Sequence, residues 1–267
     1  FKINHKDLRV YMFYIKLLKS YFIKFIKKND IKQVYQSMYY DPIGLSINLA
    51  ASECSIPSFC VQHGGQSKFN PAFGQWTKIG VGYSMLPRTF ICWDTQSAEN
   101  IEEWASKSDL HTTRVDGYTW AELWKNKKII YKNTNYLSKI TKSRFNIIIT
   151  LQPSIGGVPN IIKDIVENSQ ESKFFFWIRL HPRQLNSNTH QSLINMYSNY
   201  HNININEAST IPLPVLMSKM DLHLTGFSSS VYEALYFDVQ TILFDKNGLD
   251  YFSDMIIDKS VKYFATV

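Results

Sequence analysis

Between residues 7 and 28, apolar side chains recur every three to four positions, at Leu8, Tyr11, Ile15, Leu18, Phe22 and Phe25. That period predicts a helix with one apolar side turned inward. Lys16, Lys19, Lys24 and Lys27 recur on its other side. From residue 31 the pattern shortens to strand-like runs at 31–39, 58–62 and 89–93, with helical spacing at 43–55 and 97–106 between them. Residues 109–117 read as a returning strand and turn. A β-branched run at 144–150 then reads as a buried parallel strand. Strands at 173–180, 203–206, 221–225 and 239–244 follow, alternating with helices at 158–168, 190–199, 211–219 and 230–237. Residues 245–267 read as a terminal helix and connection. Short strands alternating with helices predict an α/β protein with parallel sheets and crossover helices. The expected organisation is two Rossmann-like domains, 1–125 and 144–267, joined by a polar linker at 126–143. The first domain is read as incomplete at its amino end.

Composition narrows this picture. With 267 residues, 45% of them hydrophobic, the chain can bury two modest cores. Residues 1–32 hold nine Lys/Arg and two Asp, which accounts for the whole net charge of +7; beyond them twenty basic and twenty acidic residues balance. The basic character therefore belongs to the first helix. It reads either as a solvated lysine face on a packed helix or as peripheral contact of residues 7–28 with anionic lipid. Nucleic acid is excluded as a partner, since no basic stripe continues beyond that helix. Cys54, Cys60 and Cys92 have neither zinc nor redox spacing and read as reduced thiols of a cytoplasmic protein. No apolar run reaches the length of a membrane span. The chain starts at Phe1 without a signal-peptide pattern, and reads as a piece cut from a longer protein.

The candidate chemistry lies where strands end. The run 174–180 ends at His181-Pro182, the run 203–206 at Glu207, and the run 221–225 at Ser228, Ser229 and Ser230. In an open α/β sheet, ligands bind outside the carboxyl ends of the strands, so these clusters are expected to converge. Pro182 stops its strand, because it lacks the donor a central strand needs. Serines before a helix offer caps and free N–H groups to an anion, and Ser230 with Glu233 fits a capping box. Arg179 and Arg183 flank His181. In the first domain Asp41, His63 and Asp94 stand at strand ends as candidate bases. An Asp before Pro, as Asp41 before Pro42, is more often a helix N-cap with the proline at the first helical position. His63-Gly64-Gly65 lacks the spacing of a dinucleotide fingerprint. The loop 64–88, with Phe69, Phe73, Trp76 and Tyr83, reads as an acceptor-side wall or as core packing.

The order His181-Pro182, Glu207, then Ser228 to Ser230 resembles the nucleotide-binding half of bacterial sialyltransferases and related CMP-Kdo and CMP-nonulosonate transferases of the glycosyltransferase-B fold. The resemblance spans residues 145–245. It implies that His181 faces the donor phosphate, Glu207 holds the ribose of CMP, and the serines bind the phosphate. It further implies an inverting transfer from a CMP-activated sugar to a surface glycan or glycolipid, with no metal and no cofactor beyond the donor. That family's Asp-Gly base does not align, since Asp116-Gly117 comes late in the domain. Three other readings stay open: a CDP-polyol phosphotransferase, a UDP-sugar transferase or epimerase, and a non-catalytic nucleotide-binding domain of a larger polymerase.

Overall fold

The computed structural model describes residues 5–264, apart from 75, 78–80, 134, 136–139, 141–143, 154–158 and 170–172. The chain forms two compact units, 1–119 and 120–267. The division falls ahead of the stretch 126–143 expected as a linker. Tyr131 and Ile140 from that stretch pack against the core of the second unit.

The first unit opens with helix α1 (His5–Lys28). Strands β1 (Val34–Gln36), β2 (Ser58–Val61), β3 (Thr89–Cys92) and β4 (Thr112–Val115) follow, with helix α2 (Pro42–Glu53) between β1 and β2 and α3 (Thr95–Ala105) between β3 and β4. The sheet runs β1-β2-β3-β4 with every pair parallel. The stretch 109–117 is therefore a parallel strand rather than a return, and α3 is the crossover that parallel pairing requires. Tyr39, Cys60, Phe73, Phe90, Ile101 and Trp104 form the core. Of the loop aromatics, Phe73 is buried, Trp76 and Tyr83 pack beside this core, and Phe69 is exposed.

The second unit starts with α4 (Thr119–Lys125) and continues through β5 (Phe145–Thr150), α5 (Asn160–Glu167), β6 (Phe174–Arg179), α6 (Asn188–Met196) and β7 (Ile203–Asn204). Helices α7 (Asn206–Thr210) and α8 (Leu213–Met217), β8 (Leu222–Thr225), α9 (Ser230–Tyr236), β9 (Thr241–Leu243), α10 (Lys246–Tyr251), α11 (Ser253–Ile257) and β10 (Val261–Tyr263) complete it. The helix expected at 211–219 is the shorter α8, and α7 ahead of it was not expected. Ile211 precedes Pro212, and the proline ring pushes it to an extended conformation (φ −66°, ψ 139°).

All six strands are parallel, in the order β10-β9-β8-β5-β6-β7. Numbered within the unit this is 6-5-4-1-2-3, the doubly wound order, whose direction reverses between β5 and β8. Strand β10 was not expected from sequence. Alternate residues of the central strands face opposite layers. Ile147, Ile149, Phe176 and Ile178 enter one core, while Ile148, Phe175 and Trp177 enter the other. Each such side chain contributes roughly 1.5–3 kcal/mol on burial.

Candidate functional site

The carboxyl edge of the second sheet is where the predicted residues stand. At the exit of β8, Ser228 Oγ accepts the Ser230 N–H at 3.3 Å, and the Ser228 carbonyl accepts from Val231. Ser229 is the N-cap of α9 and makes no side-chain cap bond. The N-cap of α9 is therefore Ser229 and not Ser230, which was expected to open a capping box with Glu233. Ser230 turns its hydroxyl inward instead, 2.8 Å from Thr150 Oγ1 and 3.2 Å from His223 Nε2. Thr150 Oγ1 lies 2.9 Å from the same nitrogen, and Thr241 Oγ1 lies 3.0 Å from His223 Nδ1. His223 is fully buried among these hydroxyls. Burial pulls its pKa down to about 3, so the ring is neutral. The network anchors the serine turn from beneath and leaves Ser228 and Ser229 half-buried at the edge.

Opposite them, at the exit of β5, Gln152 is buried. With its amide oriented to suit its neighbours, the oxygen accepts from the N–H groups of Phe227 (2.8 Å) and Ser228. One strand over, Arg179 donates to the carbonyls of Ala208 and Ile211 at 2.6 Å each. Burial lowers its pKa against the opposing pull of Glu233, in the first turn of α9. Arg179 thus ties α7 to β6. Arg183 is exposed.

His181 caps the 3₁₀ turn Pro182–Gln184. Its Nδ1 accepts the Arg183 N–H at 3.1 Å, and its own N–H donates to Gln184 Oε1 at 3.0 Å. With Nδ1 occupied as an acceptor, the neutral ring carries its proton on Nε2. Partial burial, and then the Arg183 charge, hold its pKa below the usual histidine value. Glu207 opens α7 and accepts from Asn204 Nδ2 at 2.5 Å. It lines a groove of about 360 Å³ with Tyr197, Tyr200 and Ile203.

Strand order decides which of these groups come together. Adjacent strands lie roughly 4.8 Å apart, so β8 to β7 is three steps, roughly 14 Å. The strand before Glu207 is thus three places from the strand before the serines, while the strand before His181 is two places away. Glu233, three residues past Ser230 on the same helix, is the carboxylate nearest the turn in sequence, and the pattern of strand ends overlooked it. Gln152, Thr150 and His223 were also missed.

In the first unit, Asp41 caps α2 by accepting the Gly44 N–H at 2.6 Å, and Asp94 caps α3 by accepting that of Ser97 at 2.6 Å. Asp116 pairs with Arg114 at 2.6 Å. Gln62 donates to Gly64 O and Ser97 Oγ and accepts from the Trp93 N–H at 2.7 Å, which fixes the glycine turn. His63 keeps much of its surface in solvent, with Nε2 3.4 Å from Tyr40 Oη. Its packed surroundings still lower its pKa, against a hydrogen bond with the Ser37 backbone. All three cysteines are free thiols; burial raises Cys60 and Cys92 to about 12. Among the described residues no cluster of His, Cys, Asp or Glu is placed to hold a metal ion. No helix among them is long and apolar enough to cross a membrane.

No protein-family profile and no curated protein sequence matches this chain. Solved structures do. The UDP-GlcNAc 2-epimerase from Neisseria meningitidis, bound to UDP-GlcNAc, aligns with a TM-score of 0.62 and 17% identity over 93% of this chain and 68% of its own. The Methanocaldococcus jannaschii UDP-GlcNAc 2-epimerase, in complex with UDP-GlcNAc and UDP, gives 0.62 and 16% over 94% and 70%. A spinosyn rhamnosyltransferase with spinosyn aglycone gives 0.53 and 10% over 97% and 69%. Identities this low speak to fold alone. The fold is the two-domain α/β type of the glycosyltransferase-B enzymes.

Proposed function

We propose that this chain is a nucleotide-sugar enzyme whose second unit holds a UDP-activated sugar for transfer or epimerisation. The observation that carries this reading is the serine turn braced by Gln152 at the point where the strand order reverses. Ser228 and Ser229 would meet one phosphate. The Nε2–H of His181, two strand steps and roughly 10 Å away, would meet the other. Two linked phosphates with a hydrogen bond at each end cover that span, whereas a single phosphate reaches only one of the two. This favours a diphosphate donor over the CMP-activated nonulosonic acid or Kdo suggested by the sequence resemblance, and agrees with the UDP-GlcNAc held by the epimerases of similar fold. Glu233 is assigned to the ribose in preference to Glu207.

As the sugar departs, charge builds on the phosphate oxygens, and donors already aimed at them lower the barrier. For the base, His63 is favoured over Asp41. Its lowered pKa keeps the imidazole neutral near pH 7, while the Asp41 carboxylate is already committed to capping α2. The acceptor class, a glycan or glycolipid, follows from the transferase reading.

A thermal-shift panel of UDP, UMP, CDP, CMP, GDP and ADP at equal concentration tests this. A ligand specific to the folded state stabilises it by RT ln(1 + [L]/Kd), about 2.7 kcal/mol at a hundredfold excess over Kd. UDP is expected to give the largest shift, and Glu233→Ala to remove more of it than Glu207→Ala. A CMP-dominated panel abolished by Glu207→Ala would restore the CMP-sugar reading. A flat panel on folded protein would sink both.

A further inference from the structure

Helix α1 carries more apolar surface than its packing uses. Ile15 and Ile26 are buried, and Leu18 and Phe22 half-buried, where α1 lies on α2. Lys19 on this side pairs with Glu53 at 2.5 Å. Leu8, Tyr11 and Phe25, expected inside, stay exposed. Around the helix a second apolar stripe faces solvent: Val10 (62% exposed), Phe13 (63%), Tyr14 (47%), Leu17 (54%), Tyr21 (60%) and Phe25 (48%). At 3.6 residues per turn and 1.5 Å per residue, these six occupy a sector of about 120° and a length of about 22 Å. Arg9, Lys16 and Lys27 line one edge of that stripe and Lys24 lies just within it, all of them exposed. Single exposed apolar residues are ordinary, but a contiguous stripe of this length marks a surface that something covers.

We propose that α1 rests in the surface of an anionic lipid bilayer, with Val10, Phe13, Leu17 and Tyr21 entering the interfacial layer and the basic edge meeting lipid phosphates. Charge selects this occupant. The whole net charge of +7 sits in residues 1–32, so a second copy of the chain would set two cationic helices face to face. Nucleic acid would satisfy the lysines but leave the apolar stripe in water. A bilayer takes both, since interfacial helices join an apolar, aromatic face to a basic flank. The inference does not depend on the nucleotide site.

The test is co-sedimentation of the full chain with phosphatidylcholine vesicles, with and without about one-third phosphatidylglycerol. Binding is expected to the anionic vesicles alone, and to fall on raising salt from about 0.1 M to about 0.5 M. Phe13→Ser with Leu17→Ser, and separately Lys24→Glu with Lys27→Glu, are each expected to weaken partitioning about tenfold or more. All four positions are exposed, and an unchanged melting temperature would confirm folding. No binding to anionic vesicles at low salt would overturn the proposal. So would binding indifferent to the Phe13/Leu17 pair, or a dimer that those substitutions dissociate while vesicle binding persists.

Discussion

Within β8 a buried histidine rests among hydroxyls, and this sets a pH dependence. In the unfolded chain a histidine takes up its proton near pH 6.5. In place, His223 does so only near pH 3. Between those values the unfolded chain binds the extra proton, so stability falls as pH drops, by up to about 1.4 kcal/mol per pH unit, and is untouched by this residue above about pH 7. His223→Gln keeps a side chain that can bridge Thr150 and Thr241 and removes the titration. The melting temperature of the wild type is therefore expected to fall more steeply than that of His223→Gln between about pH 6 and pH 4. Equal slopes would show that the ring protonates in place. The residue was illegible in sequence because its partners come from other strands. His223 is paired in register with Ile148 of β5 and Thr241 of β9, and only that register brings Thr150 and Thr241 to its two nitrogens.

Among the elements, α2 shows how one carboxylate can read as catalytic and serve as a cap. Asp41 accepts the Gly44 N–H, and Pro42 supplies a preset first turn. The turn also presses against the chain leaving β1: a Cβ on Gly44 would stand 2.3 Å from the Met38 carbonyl oxygen. Asn caps as well as Asp, whereas Ala does not. Asp41→Asn is therefore expected to leave stability unchanged, and Asp41→Ala to cost about 1 kcal/mol in denaturant unfolding. If the Asn variant unfolds as easily as the Ala variant, the cap is not the source of stability. A loss of turnover in the Asn variant alone would return Asp41 to the chemistry. The helices and central strands were legible wherever local signals agreed, as at the Pro42 start of α2 or the apolar run of β6. Short pieces were not. Strand β10 spans only Val261–Tyr263 and is a strand because β9 offers it an edge. The five-residue helix α7, at Asn206–Thr210, was not expected, and it stops at Ile211, which Pro212 holds extended ahead of α8.

For the whole molecule, the class of fold followed from alternation alone, but the layout of the site did not. Sequence places Glu207 and Ser228 at neighbouring strand ends in chain order, while in the sheet β7 is outermost and β8 adjoins β5. Strand order is a long-range property, and no pattern of residues near Glu207 reports it. The same holds for the polar stretch after α4, which lacks periodicity yet belongs to the second unit. Lys125 donates to the Tyr236 carbonyl at 2.7 Å and pairs with Asp238 at 3.1 Å, while Tyr131 and Ile140 cover the core around Ile148 and Trp177. A fragment of residues 120–267 is therefore expected to fold alone with one cooperative transition. A fragment of residues 144–267 would lose these contacts. The two apolar side chains contribute roughly 2–4 kcal/mol together, and the exposed ion pair little, so the shorter fragment is expected to melt roughly 5–10 °C lower. Every residue assigned to the nucleotide lies beyond position 150, so the longer fragment is also expected to keep the UDP-induced shift of the full chain. Circular dichroism melts with and without UDP decide it. Equal melting temperatures would show that residues 120–143 add nothing to this core. A folded 120–267 fragment blind to UDP, beside a responsive full chain, would move part of the nucleotide site into the first unit.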